Sequence, residues 1–169
     1  MAPLAIDNPF WQFSLRVYAA PGVAAECLEL QDKLGIDVNV VLFAVWLGAV
    51  RGVVLERADL DRIDRAVVPW AAEVVRPLRT VRQRLKQMPE IDEPEVQALR
   101  KRVADVELFS EQLEQARLFR LADDLGQSQA MTKDGTARAN AMAILAAHGA
   151  EVDAFPLARL LAASGAVRD

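Results

Sequence analysis

The sequence is poor in the residues and motifs that most often announce a function. It carries a single cysteine, Cys27, among 169 residues. A disulfide within the chain is therefore excluded, and a cytoplasmic location is expected. There is one histidine, His148, and one tyrosine, Tyr18. No GxxxxGK(S/T), GxGxxG, HExxH, GxSxG or CxxC occurs, which removes the enzymes whose chemistry rests on a local motif. The opening "MAPLAIDNPFWQF" has no basic segment leading into an apolar one, so no signal peptide is expected. The longest near-continuous apolar run, Val38 to Val50, falls short of the ~20 residues a membrane span needs. The net charge of −4 makes the whole chain a poor electrostatic match for nucleic acid or anionic lipid.

What is present points to helices. The apolar fraction is 53% and the charged fraction 26%, a globular balance. Much of the apolar content is alanine and leucine, the strongest helix formers. Asn8 followed by Pro9 predicts a helix start, with the helix running to Ala20. Pro21-Gly22 opens a second helix that stops at Gly35. Asp37 caps a third, which runs to Arg51 with Gly52 beyond it. Glu56 to Ala66 is a short amphipathic fourth, and Pro69 marks its end or the start of the next. The fifth contains Pro77 in its interior, which predicts a bend near Glu73. "PEIDEP" is a linker, and Glu93 to Leu125 is the longest helix. Its Val96, Leu99, Val103 and Val106 step 3, 4, 3, a seam able to pack on the fifth helix or on a second copy of the chain. After a polar loop, helices are expected at about 136–147 and 153–163. The expected architecture is all-α: a compact bundle of seven or eight helices around a buried central helix, about 38–50, with a helical hairpin formed by 70–88 and 93–125. Residues 1–169 read as one helical domain, in which 127–169 form a helical pair whose attachment to the core the sequence leaves open.

The stretch "DVNVVLFAVWLG" (37–48) is apolar on every side, so it must be buried on every side. Asn39 is its single polar side chain after Asp37. The plain reading is a helix start with one satisfied core amide, for which Asn39→Leu is expected to be tolerated. The functional reading sets Asp37 and Asn39 in a polar pocket where helices meet. Trp11, Trp46 and Trp70, with Tyr18, form either core packing or the apolar wall of such a pocket. Arg16, Glu73 and Arg76 are further polar groups able to converge there. The run "RPLRTVRQRLK" gives Arg76, Arg79, Arg82, Arg84 and Lys86 with no acid between them. It reads as a solvated face neutralised by the acids at 90–95, or as a surface for an acidic protein partner through Arg79, Arg82 and Lys86. A phosphate grip is the weakest reading of that stripe. Asp123 and Asp124 supply too few oxygens for a hard cation and are expected to pair with Arg117 or Arg120. His148 sits where an imidazole serves helix-end carbonyls. Cys27, without a basic neighbour, reads as a buried small hydrophobe. No metal site and no cofactor is expected.

Two blocks carry a resemblance. "FWQFSLRVYAAPGVAAECLELQDKLGIDVNVVLFAVWLG" (10–48) and "VVPWAAEVVRPLRTVRQRLK" (67–86) combine Phe-Trp-x-Phe, Tyr-x-x-Pro-Gly, Asp-Val-Asn and Pro-Trp…Val-Arg-Pro-Leu-Arg. In these blocks the chain resembles a small proteobacterial all-helical family classed as a domain of unknown function. The resemblance implies a helical, cytoplasmic protein and brings no activity with it. The residues lean away from an enzyme and towards a protein-binding adaptor or regulator, with homodimerisation through the 96–106 seam. The alternative is a small-molecule-binding protein or cofactor-assisted enzyme with an aromatic pocket between helices. An open cavity faced by Asn39 and Arg76 would favour that alternative, and a closed aromatic core the adaptor.

Overall fold

Several helix starts are set by a side chain that accepts an otherwise unpaired backbone N–H. Asn8 Oδ1 accepts from the Trp11 amide at 2.9 Å, and Pro9 occupies the first turn of α1 (Pro9–Tyr18). Gly22 and Gly35, both at positive φ, bracket α2 (Val23–Leu34). Asp37 Oδ1 accepts from the Asn39 amide at 2.9 Å and opens α3 (Val38–Trp46). Glu56 and Asp59 form a reciprocal capping box on α4 (Arg57–Trp70). The remaining helices are α5 (Arg76–Lys86), α6 (Pro94–Leu121), α7 (Lys133–Ala147) and α8 (Ala158–Ala166). The computed structural model describes residues 3–126, 132–150, 155 and 157–166. The expected loop at 127–131 and the expected helix start at Asp153 lie outside these residues.

The fold is all-α, built around a buried α3 as the apolar run requires. Residues Asn39–Trp46 of α3 are all buried, and α1, α2, α6, α7 and α8 pack around it. α3 does not simply continue to Arg51. Leu47–Arg51 widen into a π-type turn in which the Gly52 amide, at φ +68°, reaches back to the Leu47 carbonyl. The wide turn is where α7 approaches most closely. A Cβ on Gly48 would stand 2.4 Å from the Ala137 nitrogen, so only glycine admits the α7 backbone there. Asn140 of α7 then clips the chain leaving the turn. Its Nδ2 donates to the carbonyls of Ala44 (3.1 Å) and Val53 (2.8 Å), and its Oδ1 accepts from the Leu55 amide (2.9 Å).

The prolines behave differently from expectation. Pro69 neither ends nor starts a helix; α4 runs through it to Trp70. The distortion falls at Ala71–Val75, a second π-type turn that contains Glu73 and precedes Pro77. The Arg76 amide bonds the Ala71 carbonyl five residues back. Pro77 has no N–H to give the carbonyl of residue 73, and the wider turn gives its ring room there. The linker is a short 3₁₀ turn, Pro89–Asp92, and α5 returns against α6 as a hairpin. α5 itself has no buried residue. The 96–106 seam does not close that hairpin as a buried stripe: Leu99 and Val106 are 51% and 52% exposed.

Candidate functional site

α1, α3, α5 and α6 meet around a partly open cleft of about 310 Å³. Apolar side chains form one side: Leu15 from α1, Val38 and Leu42 from α3, and Leu108 from α6. Trp11 and Tyr18 of α1 add two aromatic walls. Asp37, Asn39, Arg79, Glu111 and Gln115 supply its polar lining. Among the described residues, no group of three or more His, Cys, Asp or Glu side chains is arranged to hold a metal ion.

Behind the cleft lies a buried polar relay. Asn39 Nδ2 donates to Glu114 Oε2 at 2.9 Å, and Gln115 Nε2 donates to Asn39 Oδ1 at 2.8 Å. Glu114 has no solvent exposure. Burial pushes its carboxyl up to about 9, helped by the Asp37 charge and by a hydrogen bond with Asp37; the Asn39 amide opposes. Glu114 is thus an acid, not an anion, at neutral pH. This accounts for its Oε1, which has no donor in reach: a proton makes that carboxyl a donor towards Asp37. Two more buried polar atoms in the cleft wall lack partners, Gln115 Oε1 and Ser14 Oγ.

A charged bridge closes one end. Arg79 directs its guanidinium to Glu107 Oε1 (3.1 Å), to Glu111 Oε1 (2.6 Å) and to Gln31 Oε1. Arg82 also pairs with Glu107. For Glu107, burial favours the neutral acid, but the Arg82 and Arg79 guanidiniums outweigh it and hold the carboxyl below the usual range. For Glu111 burial wins, aided by the charges of Glu107 and Asp37, and the carboxyl is raised despite Arg79. Burial likewise raises the Tyr18 hydroxyl, with the charges of Cys27 and Glu111 adding to it.

The sequence-predicted residues divide among several places. Trp11, Tyr18, Asp37 and Asn39 are brought together at the cleft. Asn39 is both things expected of it, a satisfied core amide and a cleft residue. Trp46 is not at the cleft: it is buried against Phe43, Phe10 and Phe119, with ring centroids 5.5–5.9 Å away. Trp70 packs on the far side, its Nε1 donating to the Ser110 carbonyl at 3.0 Å under the Arg117 guanidinium. Glu73 is exposed, and Arg76 lines a separate groove beside Asp37 and Arg79. Arg79, expected on a partner surface, instead faces the cleft, and Lys86 is exposed. The basic stripe pairs across to Glu107 and Glu111 rather than to the acids at 90–95. Asp123 pairs with Arg51 at 2.8 Å. His148 serves the Ile144 carbonyl at 2.9 Å. Burial pushes the Cys27 thiol up to about 12, with the Glu26 charge adding to it. Sequence reasoning missed Ser14, Gln31, Glu107, Glu111, Glu114 and Gln115. One signal could have found the last four: acids and an amide at i, i+4, i+7 and i+8 along a single helix face.

No helix among the described residues is long and apolar enough to cross a membrane. No curated protein and no solved structure matches the chain. The model of one family, described as "Protein of unknown function (DUF2390)", matches residues 9–118, a span that holds every residue of the cleft, and the chain belongs to that family.

Proposed function

We propose that the protein binds a small molecule in the cleft between α1, α3, α5 and α6. The observation that carries this reading is the pairing of an apolar wall with buried, partnerless polar atoms, Gln115 Oε1 and Ser14 Oγ, in the same cavity. A buried polar atom without a partner costs roughly 1–3 kcal/mol, and a bound ligand can remove that cost. The strongly raised Glu114 beside the cavity adds the kind of perturbed acid that gathers at functional sites. The buried, weakly acidic Cys27 thiol suits a cytoplasmic setting. Native mass spectrometry of gently purified protein tests the reading. A retained small mass is expected, lost in Leu108→Trp, which narrows the cleft at a half-exposed position. A bare chain whose melting no compound in a fragment library shifts would overturn it.

A second reading, a protein-binding adaptor or homodimer, draws on one observation. Leu99, Val106 and Phe109 are each about half exposed, and spacings of seven and three place them on one flank of α6. Sedimentation at increasing concentration checks self-association through that flank; a monomer mass at every concentration removes the homodimer.

A further inference from the structure

The charged groups in the cleft are unbalanced in one direction, and the imbalance selects a ligand. Asn39 is engaged at both ends, its amide NH₂ donating to Glu114 and its oxygen accepting from Gln115. Gln115 donates through Nε2 to Asn39, and its acceptor Oε1 is buried and partnerless. Asp37 and Glu111 are acceptors as carboxylates. Arg79 is the one cation of the lining, and three acceptors from Glu107, Glu111 and Gln31 already hold it. An anion entering here would meet Asp37 and Glu111 with no uncommitted positive charge. A neutral hydroxyl could donate one bond but would leave the crowding of carboxyls as it is. Trp11 and Tyr18 supply aromatic faces of the sort that attract organic cations.

We propose that the ligand is a small organic ammonium ion, an amine whose charged head lies among Asp37, Glu111 and the Gln115 oxygen and whose apolar body packs on Leu15, Leu42 and Leu108. The inference rests on the reading of the cleft as a ligand site. The head supplies up to three N–H donors to Asp37, Glu111 and the partnerless Gln115 Oε1, and its charge opposes the mutual repulsion of Asp37 and Glu111. The groups that face this position are Tyr18 from α1, Asp37 and Asn39 from the start of α3, Arg79 from α5, and Glu107, Glu111 and Glu114 from α6. Of these only Arg79 is basic, and its charge is matched by Glu107 and Glu111.

The test is isothermal titration of the intact chain with three probes of one shape: 2-phenylethylammonium, 2-phenylethanol and 3-phenylpropanoate. The ammonium is expected to bind about tenfold tighter than the alcohol, the step a charge-assisted hydrogen bond typically brings, and the carboxylate weakest of the three. Asp37→Asn keeps a good helix cap, and Glu111→Gln keeps the side-chain shape; each is expected to shrink the ammonium's advantage over the alcohol towards unity. If the alcohol binds as tightly as the ammonium, or the carboxylate more tightly, the ligand class is overturned while the cleft stands as a site. If none of the three binds, both the class and the cleft reading fall.

Discussion

A carboxyl group with no solvent exposure and an acidic neighbour keeps its proton at neutral pH, and Glu114 is such a group. The consequence for stability has a definite sign. Unfolded, Glu114 titrates near 4.3; folded, it titrates near 9. Between those values the folded state binds more protons than the unfolded one, so stability falls as pH rises, by up to about 1.4 kcal/mol per unit. Below the window both states are protonated and above it neither is, so the contribution is flat. Glu111, also raised, slopes the same way, whereas the lowered Glu107 works in the opposite sense. Glu114→Gln keeps the shape and replaces the acid O–H with an amide donor. Its melting temperature is expected to fall less than the parent's between pH 5 and pH 9, and to exceed it at pH 8. Identical slopes in a thermal melt would show that Glu114 holds no proton. Asn39 makes the complementary case. Its sequence context, apolar on all sides, reads Asn39→Leu as harmless, yet the substitution orphans Glu114 Oε2 and Gln115 Nε2 inside the core. We expect a loss of about 2–4 kcal/mol in urea denaturation, from two buried groups at roughly 1–3 each with some apolar gain returned. A loss below half a kcal/mol would mean those groups reach other partners.

At the scale of elements, the α5–α6 hairpin is held by charge more than by burial. α5 buries none of its residues, so the bridge from Arg79 and Arg82 to Glu107 is its main tether. Glu107→Ala removes the acid that Arg82 pairs with and one of the three acceptors that hold Arg79. The expected cost is about 2 kcal/mol, between an exposed pair and a buried one. Amide exchange should speed up over residues 76–86 before it does in α3; uniform protection along the chain would overturn this account. These elements also show what the sequence made legible. Caps at Asn8 and Asp37 and stops at Gly35 and Gly52 act through bonds between near neighbours, so a local reading finds them. Asp37 and Asn39 were visible as site candidates because polarity is conspicuous in an oily run. The acids of α6 were not. In "VELFSEQLEQ" they resemble any solvated helix face, and only the fold turns Glu107 and Glu114 inward. The π-type turns were equally hidden, because each answers a distant demand: the α7 backbone at Gly48, or the room Pro77 needs.

The whole molecule raises a question of extent. The family match ends at residue 118, and the cleft lies wholly within it. The core does not end there. Ala137, Ala141, Ile144 and Leu145 of α7, with Leu160 of α8, are buried in the same apolar cluster as Phe43 and Trp46. α7 lies on the wide turn at Gly48, and its Asn140 satisfies three backbone groups of residues 44–55. α8 is tied back to α2, where Glu26 accepts from the Arg159 and Leu160 amides at 3.3 and 2.8 Å and so caps the helix from a distance. A chain cut after Gly126 would expose one side of α3 and leave the Ala44 and Val53 carbonyls and the Leu55 amide without Asn140. An apolar face of that kind, with its polar clip gone, favours a loosely packed state over a unique fold. The expected outcome is retained far-ultraviolet helicity, no cooperative thermal transition, and strong binding of a hydrophobic dye. A cooperative melt of residues 1–126 near the parent's temperature would show instead that α7 and α8 are an addition to a core complete without them.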